Sequence, residues 1–167
     1  PKSIGQKREI ALQQAIDYYD SVINNDISRV DNVKRNPEKT KRLLRSYARS
    51  IGTQSKISSL SQDVNPSGDS EIASNPTIMD YIEALKKIFV LEDSRAWNPN
   101  LRSKTAIRTS DTRYFTDPSI AAAAMELGPD DLINDLNTMG FFFENLCIRD
   151  LRIYADALDG TVYPVSY

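Results

Sequence analysis

NPEKTKRLLRSYARSIG, residues 36–52, opens on asparagine and proline and closes on glycine. Asparagine before proline is a helix start signal. The amide side chain can accept orphan N–H groups of the first turn, and proline already has the φ of a first helical position. Inside that frame Leu43, Leu44, Tyr47, Ala48 and Ile51 recur at helical spacing. Arg42, Arg45 and Arg49 fall together on another face. The stretch reads as an amphipathic helix with one side in a core and an arginine ridge outside, stopped by Gly52.

Working outward toward the C-terminus, KISSLSQDV (56–64) is a short helical unit with Ile57, Leu60 and Val64 inward. A polar loop runs from Asn65 to Asn75. Ser74-Asn75-Pro76 repeats the start signal, and Ile78, Tyr81, Ile82, Leu85 and Ile88 form the buried side of a third helix. Its outward side carries Thr77, Asp80, Glu83, Ala84 and Lys87. FVLED (89–93) leads out as a strand, TRYFT (112–116) is its return partner, and WNPNLRSKTAIRTSD (97–111) is a long polar excursion between them. Helix, short helix, turn, helix and two-stranded hairpin is the order of a winged helix-turn-helix, placed over residues 36–116.

Toward the N-terminus, residues 7–25 read as a helix with Ile16, Tyr19, Ile23 and then Ile27 at helical spacing, followed by the polar connector NNDISRVDNVKRN. Residues 1–35 thus form a helix and connector ahead of the winged helix. Beyond it, Asp117-Pro118 caps SIAAAAMEL, stopped by Gly128, and Pro129 starts DDLINDL. TMGFFFENLCIRDLRIYADAL (138–158) reads as one long helix. On a helical wheel Glu144 shares its direction with Ile148, Leu151, Ala155 and Leu158, while Asn145, Arg149, Arg152 and Asp156 define the wet face. A carboxylate in an apolar stripe is costly unless paired or employed. Cys147, on the same apolar side, reads as a small core residue. TVYPVSY (161–167) reads as a strand that Pro164 confines to an edge or bulge. The expected architecture is mostly α with a small β component, residues 117–167 being the helical start of a truncated α/β domain.

The composition closes most routes to a self-contained enzyme. Among 167 residues there is no histidine, so no Ser-His or Cys-His pair and no His-ligated zinc. No glycine is followed by lysine and no Gly-x-Gly occurs, which removes the phosphate-loop and dinucleotide fingerprints. A single cysteine cannot form an internal disulfide, and no apolar run approaches the ~20 residues of a membrane span. These features point to a reduced, cytoplasmic protein without catalysis of its own. The net charge of −2 conceals two opposed halves. Lys34 to Lys56 holds eight basic residues against Glu38, and Asp117 to Tyr167 holds nine acids against Arg149 and Arg152. Such halves suit either a basic surface for nucleic acid or two surfaces that dock on each other.

Four stretches carry a family likeness: NNDISRVDNVKRNPEKTKRLLRSYARSIGT, TIMDYIEALKKIFVLEDSRAW, RYFTDPSIAAAAM and GFFFENLCIRDLRIYADAL. In this order they resemble the C-terminal region of a large group of prokaryotic AAA-type P-loop ATPases, a region classed as a domain of unknown function. The resemblance implies an ATPase core ahead of residue 1, where ATP and Mg²⁺ would bind, then the winged helix, then a restriction-endonuclease-like domain that opens with a Phe-Glu helix. The metal-binding strands of such a domain would lie beyond Tyr167. Glu144 in FFFENL stands at the matching acid position. It would face a metal pocket completed by those strands, or pair with an arginine from a neighbouring helix.

Two functions follow as expectations. The first is a non-catalytic accessory piece whose winged helix docks on its own ATPase core and regulates it. The alternative is a non-specific nucleic-acid module, with Lys41, Arg42, Arg45, Arg49 and Lys56 on the basic helices and Arg102, Lys104 and Arg108, joined by Arg95 and Arg113, on the wing. Trp97 could stack on an unpaired base. The acidic outward side of the third helix suits neither phosphate nor major-groove readout. Apolar surface left by the absent strands would favour a homodimer.

Overall fold

The arginine-bearing helix opened by Asn36 sits at the centre of the helical packing. The computed structural model describes residues 7–66, 72–95 and 110–159 and is mostly helical. Its helices are α1 (Arg8–Ser21), α2 (Pro37–Arg49), α3 (Ile57–Val64), α4 (Asn75–Lys87), α5 (Pro118–Met125), α6 (Pro129–Asn134) and α7 (Leu136–Asp159). The Asn36 side chain accepts from the N–H groups of Glu38 and Lys39 at 2.9 and 3.3 Å, and Ser74 and Asp117 cap α4 and α5 in the same way. These are the caps that the sequence announces, and each satisfies donors that the first helical turn leaves open.

One hydrophobic core joins the three segments 1–35, 36–116 and 117–167, running from Tyr19 through Leu43, Tyr47, Leu85 and Phe115 to Phe142. α2 is held between α3 and α5, and α5 is also packed by α1. The α1–α5 contact explains a departure from expectation at Ile16, which is 43% exposed. α1 turns Ala11, Ala15 and Tyr19 toward the alanines of α5, and small side chains allow that close approach. Ile10, Leu12 and Ile16 are left on the outside. The polar connector is also more ordered than its composition suggests. α1 runs on through a π-helical turn, Val22–Asp26, into a last turn at Ile27–Arg29, and Val22 and Ile27 are fully buried.

The β component is small and lies between α4 and α5. Leu91 pairs antiparallel with Phe115, and Ser94 with Thr112, so residues 90–94 and 112–116 do return on each other as expected. Thr112, Tyr114 and Thr116 bond to this partner through Ser94, Glu92 and Val90. Arg113 and Phe115 point their backbone groups the other way. Arg113 is met by the segment after α2: the Gly52 N–H donates to its carbonyl at 2.9 Å and its own N–H donates to Thr53 O at 3.0 Å. Gly52 adopts φ +71°, and a Cβ there would stand 2.9 Å from Phe141 Cδ1, so both the turn and the approach of α7 require glycine. The stop of α5 is not Gly128 but Glu126, which takes the left-handed conformation at φ 59°. Ala84, read as outward, is buried, because α4 packs against both α3 and the turn after α1. The expected strand at 161–167 lies outside the described residues.

Candidate functional site

On the exposed side of α2 and α3, Arg42, Arg45, Ser46, Arg49 and Asp63 line a shallow cavity of about 150 Å³. The helical wheel placed the three arginines together, and the structure does bring them together. Arg45 and Arg49 are exposed, as are Lys41 and Lys56, while Arg42 reaches the Val64 carbonyl at 3.4 Å. Asp63 tempers the cluster, and Ser46 donates to it at 2.5 Å. Arg102, Lys104, Arg108 and Trp97 lie outside the described residues.

Two cations counted in the basic half are inside the protein. Lys39 is buried. Arg35 is 3% exposed; it binds Asp31 at 2.8 Å, Asp80 at 2.9 Å and the Ile27 carbonyl at 2.8 Å, and lies over the Tyr81 ring. It therefore staples the end of the first helical run to α4. The guanidinium donors of Arg35 hold the Asp31 carboxyl down at about 2. A depressed carboxyl contributes stability that is present above its unfolded value near 4 and is lost as pH falls toward 2. Acid titration followed by circular dichroism is expected to show this loss between about pH 4 and pH 2. Asp31→Asn should reduce stability at pH 7 and flatten that part of the curve.

Arg113, expected on the wing as a phosphate ligand, is buried instead. Its Nη1 lies 2.6 Å from Asp93 Oδ2, its other donors reach Ser55 O at 3.0 and 3.2 Å, and its guanidinium covers the Tyr47 ring. Asp93 also accepts from the Tyr47 hydroxyl and from Lys86 Nζ at 3.2 Å. Burial disfavours the Arg113 charge, but Tyr47 and Asp93 more than offset it. Burial and Asp93 push the Tyr47 hydroxyl well above its ordinary value. The knot ties α2 to the hairpin. Its signal in the sequence was faint, because Asp93 read only as the last residue of the outgoing strand and Tyr47 as an ordinary core residue.

α7 departs from its wheel in part: Ile148 packs against the core as expected and Asp156 is exposed, but Asn145 and Arg152 of the wet face turn inward. Asn145, placed on the wet face, is 1% exposed. Its amide accepts from the Phe115 N–H at 2.9 Å and donates to the Phe115 carbonyl at 2.7 Å, taking the place of a neighbouring strand. Arg152, on the same side, donates to Glu92 O at 3.0 Å and to the Ser94 hydroxyl, and lies over the Tyr114 ring. Glu144 is exposed rather than set in an apolar stripe, and its partner is a tyrosine: the Tyr114 hydroxyl donates to Oε1 at 2.5 Å. Burial, then the hydrogen bond to Glu144, raise the Tyr114 hydroxyl above its ordinary value. Cys147 is half-buried on the outward side and is not part of the core. Leu151, Tyr154 and Leu158 face water, being 61%, 63% and 84% exposed. The ion pairs of this helix are Arg149 with Asp117 and Asp150, and Arg152 with Glu92; none of these joins the acidic C-terminal part to the basic stretch 34–56.

A second open surface lies between α1, α5 and the turn after α4. Leu12, Ala15, Tyr18, Phe89, Asp117 and Ile120 line a groove of about 750 Å³. Phe89 stands 76% exposed on its rim, in the left-handed conformation with φ 57°. Among the described residues no three carboxylates or thiols converge as metal ligands, and no helix is long and apolar enough to cross a membrane.

Comparisons with curated proteins and with solved structures return no match. A family model described as a domain of unknown function, DUF8612, matches residues 1–131, from the start of the chain into α6. The chain therefore belongs to the DUF8612 family of domains of unknown function.

Proposed function

We propose that this chain is a non-catalytic docking module built on a winged helix, which seats a partner segment in the groove between α1 and α5. Phe89 carries the reading. A phenylalanine in the left-handed region costs on the order of 1 kcal/mol, and burying its ring would be the usual return for that cost. Here the strained residue presents its ring to water at the rim of an apolar groove. The winged-helix assignment is supported by the order α2, the 51–53 segment, α3, α4 and hairpin, with the 51–53 segment bonded to the return strand. Asp80 on the exposed side of α4 is engaged by Arg35, and Glu83 beside it is acidic, which favours docking over base readout. The partner is an ATPase core of the AAA type, an assignment that rests on the resemblance alone.

Phe89→Asn separates the two roles of this position. Asparagine tolerates the left-handed conformation, so the variant is expected to melt a few degrees higher than the native protein. It is also expected to lose docking. Hydrogen exchange on the ATPase-linked protein should show residues 8–21 and 88–90 protected relative to the isolated chain, with protection lost in Phe89→Asn. Equal exchange in both contexts would refute the groove as the docking site.

The arginine cavity on α2 supports a second reading, contact with nucleic-acid backbone independent of sequence. Three phosphates neutralised by Arg42, Arg45 and Arg49 predict a log–log salt slope of about −2.7. Fluorescence anisotropy with duplex and single-stranded DNA measures it, and reversal of the three residues to Glu should abolish binding. No binding at low salt leaves the docking reading alone.

A further inference from the structure

The outward stripe of α7 has a symmetry of its own. From Leu136 to Leu158 it runs about 33 Å along the helix, and Cys147 is its midpoint. Counted out from Cys147, Phe143 mirrors Leu151, Gly140 mirrors Tyr154 and Leu136 mirrors Leu158. All five of these large side chains, Leu136, Phe143, Leu151, Tyr154 and Leu158, are at least 60% exposed. Gly140 lies on the same side, and a Cβ added there would meet nothing within 4 Å. A glycine inside a helix costs about 1 kcal/mol relative to alanine, and among the described residues no neighbour requires it at this position.

We infer that α7 pairs with α7 of a second copy of this chain, antiparallel, about a twofold axis at Cys147. In that arrangement the Tyr154 ring of one copy enters the notch over Gly140 of the other, Phe143 meets Leu151, and Leu136 meets Leu158. A parallel pairing would instead set ring against ring at Tyr154 and notch against notch at Gly140. The stripe leaves on the order of 700 Å² of apolar side chain in water, close to the ~800 Å² that each partner buries in a stable interface. Asp150, the charge within the stripe, is already held by Arg149 at 2.8 Å, and Glu144 at its flank is held by Tyr114. The surface is distinct from the α1–α5 groove, so the pairing stands or falls independently of the docking proposal.

Light scattering on the intact chain should find a concentration-dependent dimer. Diamide, which takes up the two hydrogens as two thiols become one disulfide, should trap it through Cys147. Leu151→Glu should raise the dimer dissociation constant at least a hundredfold, roughly the cost of burying an unpaired charge, with the helical signal unchanged. In a Cys147→Ser background, chains carrying Gly140→Cys should cross-link to chains carrying Tyr154→Cys, and neither variant should cross-link to itself. A monomer at the highest soluble concentration overturns the proposal. So does a dimer that survives Leu151→Glu, or one in which the Gly140→Cys chains link to each other.

Discussion

Asp93→Ala is expected to lower the melting temperature by about 10–15 °C. The carboxylate is 3% exposed and serves three donors at once: the Tyr47 hydroxyl, Arg113 and Lys86. Removing it leaves the 7%-exposed Arg113 guanidinium charged and half-satisfied beneath the hairpin. Breaking a buried pair from one side costs roughly 3–5 kcal/mol, and each kcal/mol moves the midpoint of a chain this size by about 2–4 °C. The pair itself need not stabilise by that amount. Asp93→Ala combined with Arg113→Met removes the stranded charge, so the double variant is expected to be more stable than the sum of the two single losses predicts. Denaturant melts of all four proteins close the cycle. Strict additivity would mean that Arg113 is satisfied by Ser55 O alone.

Asn145→Leu is the second large effect and should be local where the first is global. The amide is the partner of both Phe115 backbone groups on that side of the strand, at 2.9 and 2.7 Å. Leucine keeps the volume but strands a buried N–H and a buried C=O, at about 1–3 kcal/mol for each group left unsatisfied. α7 meets the body through Phe141, Phe142, Ile148, the Glu144–Tyr114 bond, Asn145 and Arg152, and Asn145 supplies two of its backbone anchors. Hydrogen exchange is expected to rise across residues 136–159 while α2 and α4 keep their protection. A uniform rise over the whole chain would show that α7 and the core unfold as one unit.

What was legible in the sequence follows the range of the physics involved. Caps, proline starts and apolar spacing act within a few residues, so α2, α4 and α5 began where Asn36, Ser74 and Asp117 said they would. The hairpin return was legible for the same reason, from two β-rich runs separated by a polar excursion. The wheel of α7 was legible in part: Ile148 packs on the core as expected, but Leu151 and Leu158 of the same stripe do not. Periodicity shows which side chains share a face, and only the tertiary partner decides which face turns inward. Here the partner is an open strand edge with polar groups to satisfy, so Asn145 and Arg152 went in and Leu151 and Leu158 stayed out. The same limit hid Arg113 and Lys39. Charge totals count cations wherever they are, whereas phosphate contact needs them at the surface, and Arg113 is drawn in by Asp93 and Ser55, which lie outside its own local stretch of sequence.

The return strand from Thr112 to Thr116 has a further consequence. One side of it is occupied by residues 90–94; the other is occupied at Arg113 by the Gly52–Thr53 backbone and at Phe115 by a side chain of α7. Among the described residues, the return strand is therefore met on both sides. A strand met on both flanks is a poor template for growth into fibres, which is how bare sheet margins fail. The amide of Asn145 thus works as a chain terminator for the sheet, and solubility under stress should track how firmly α7 stays in place.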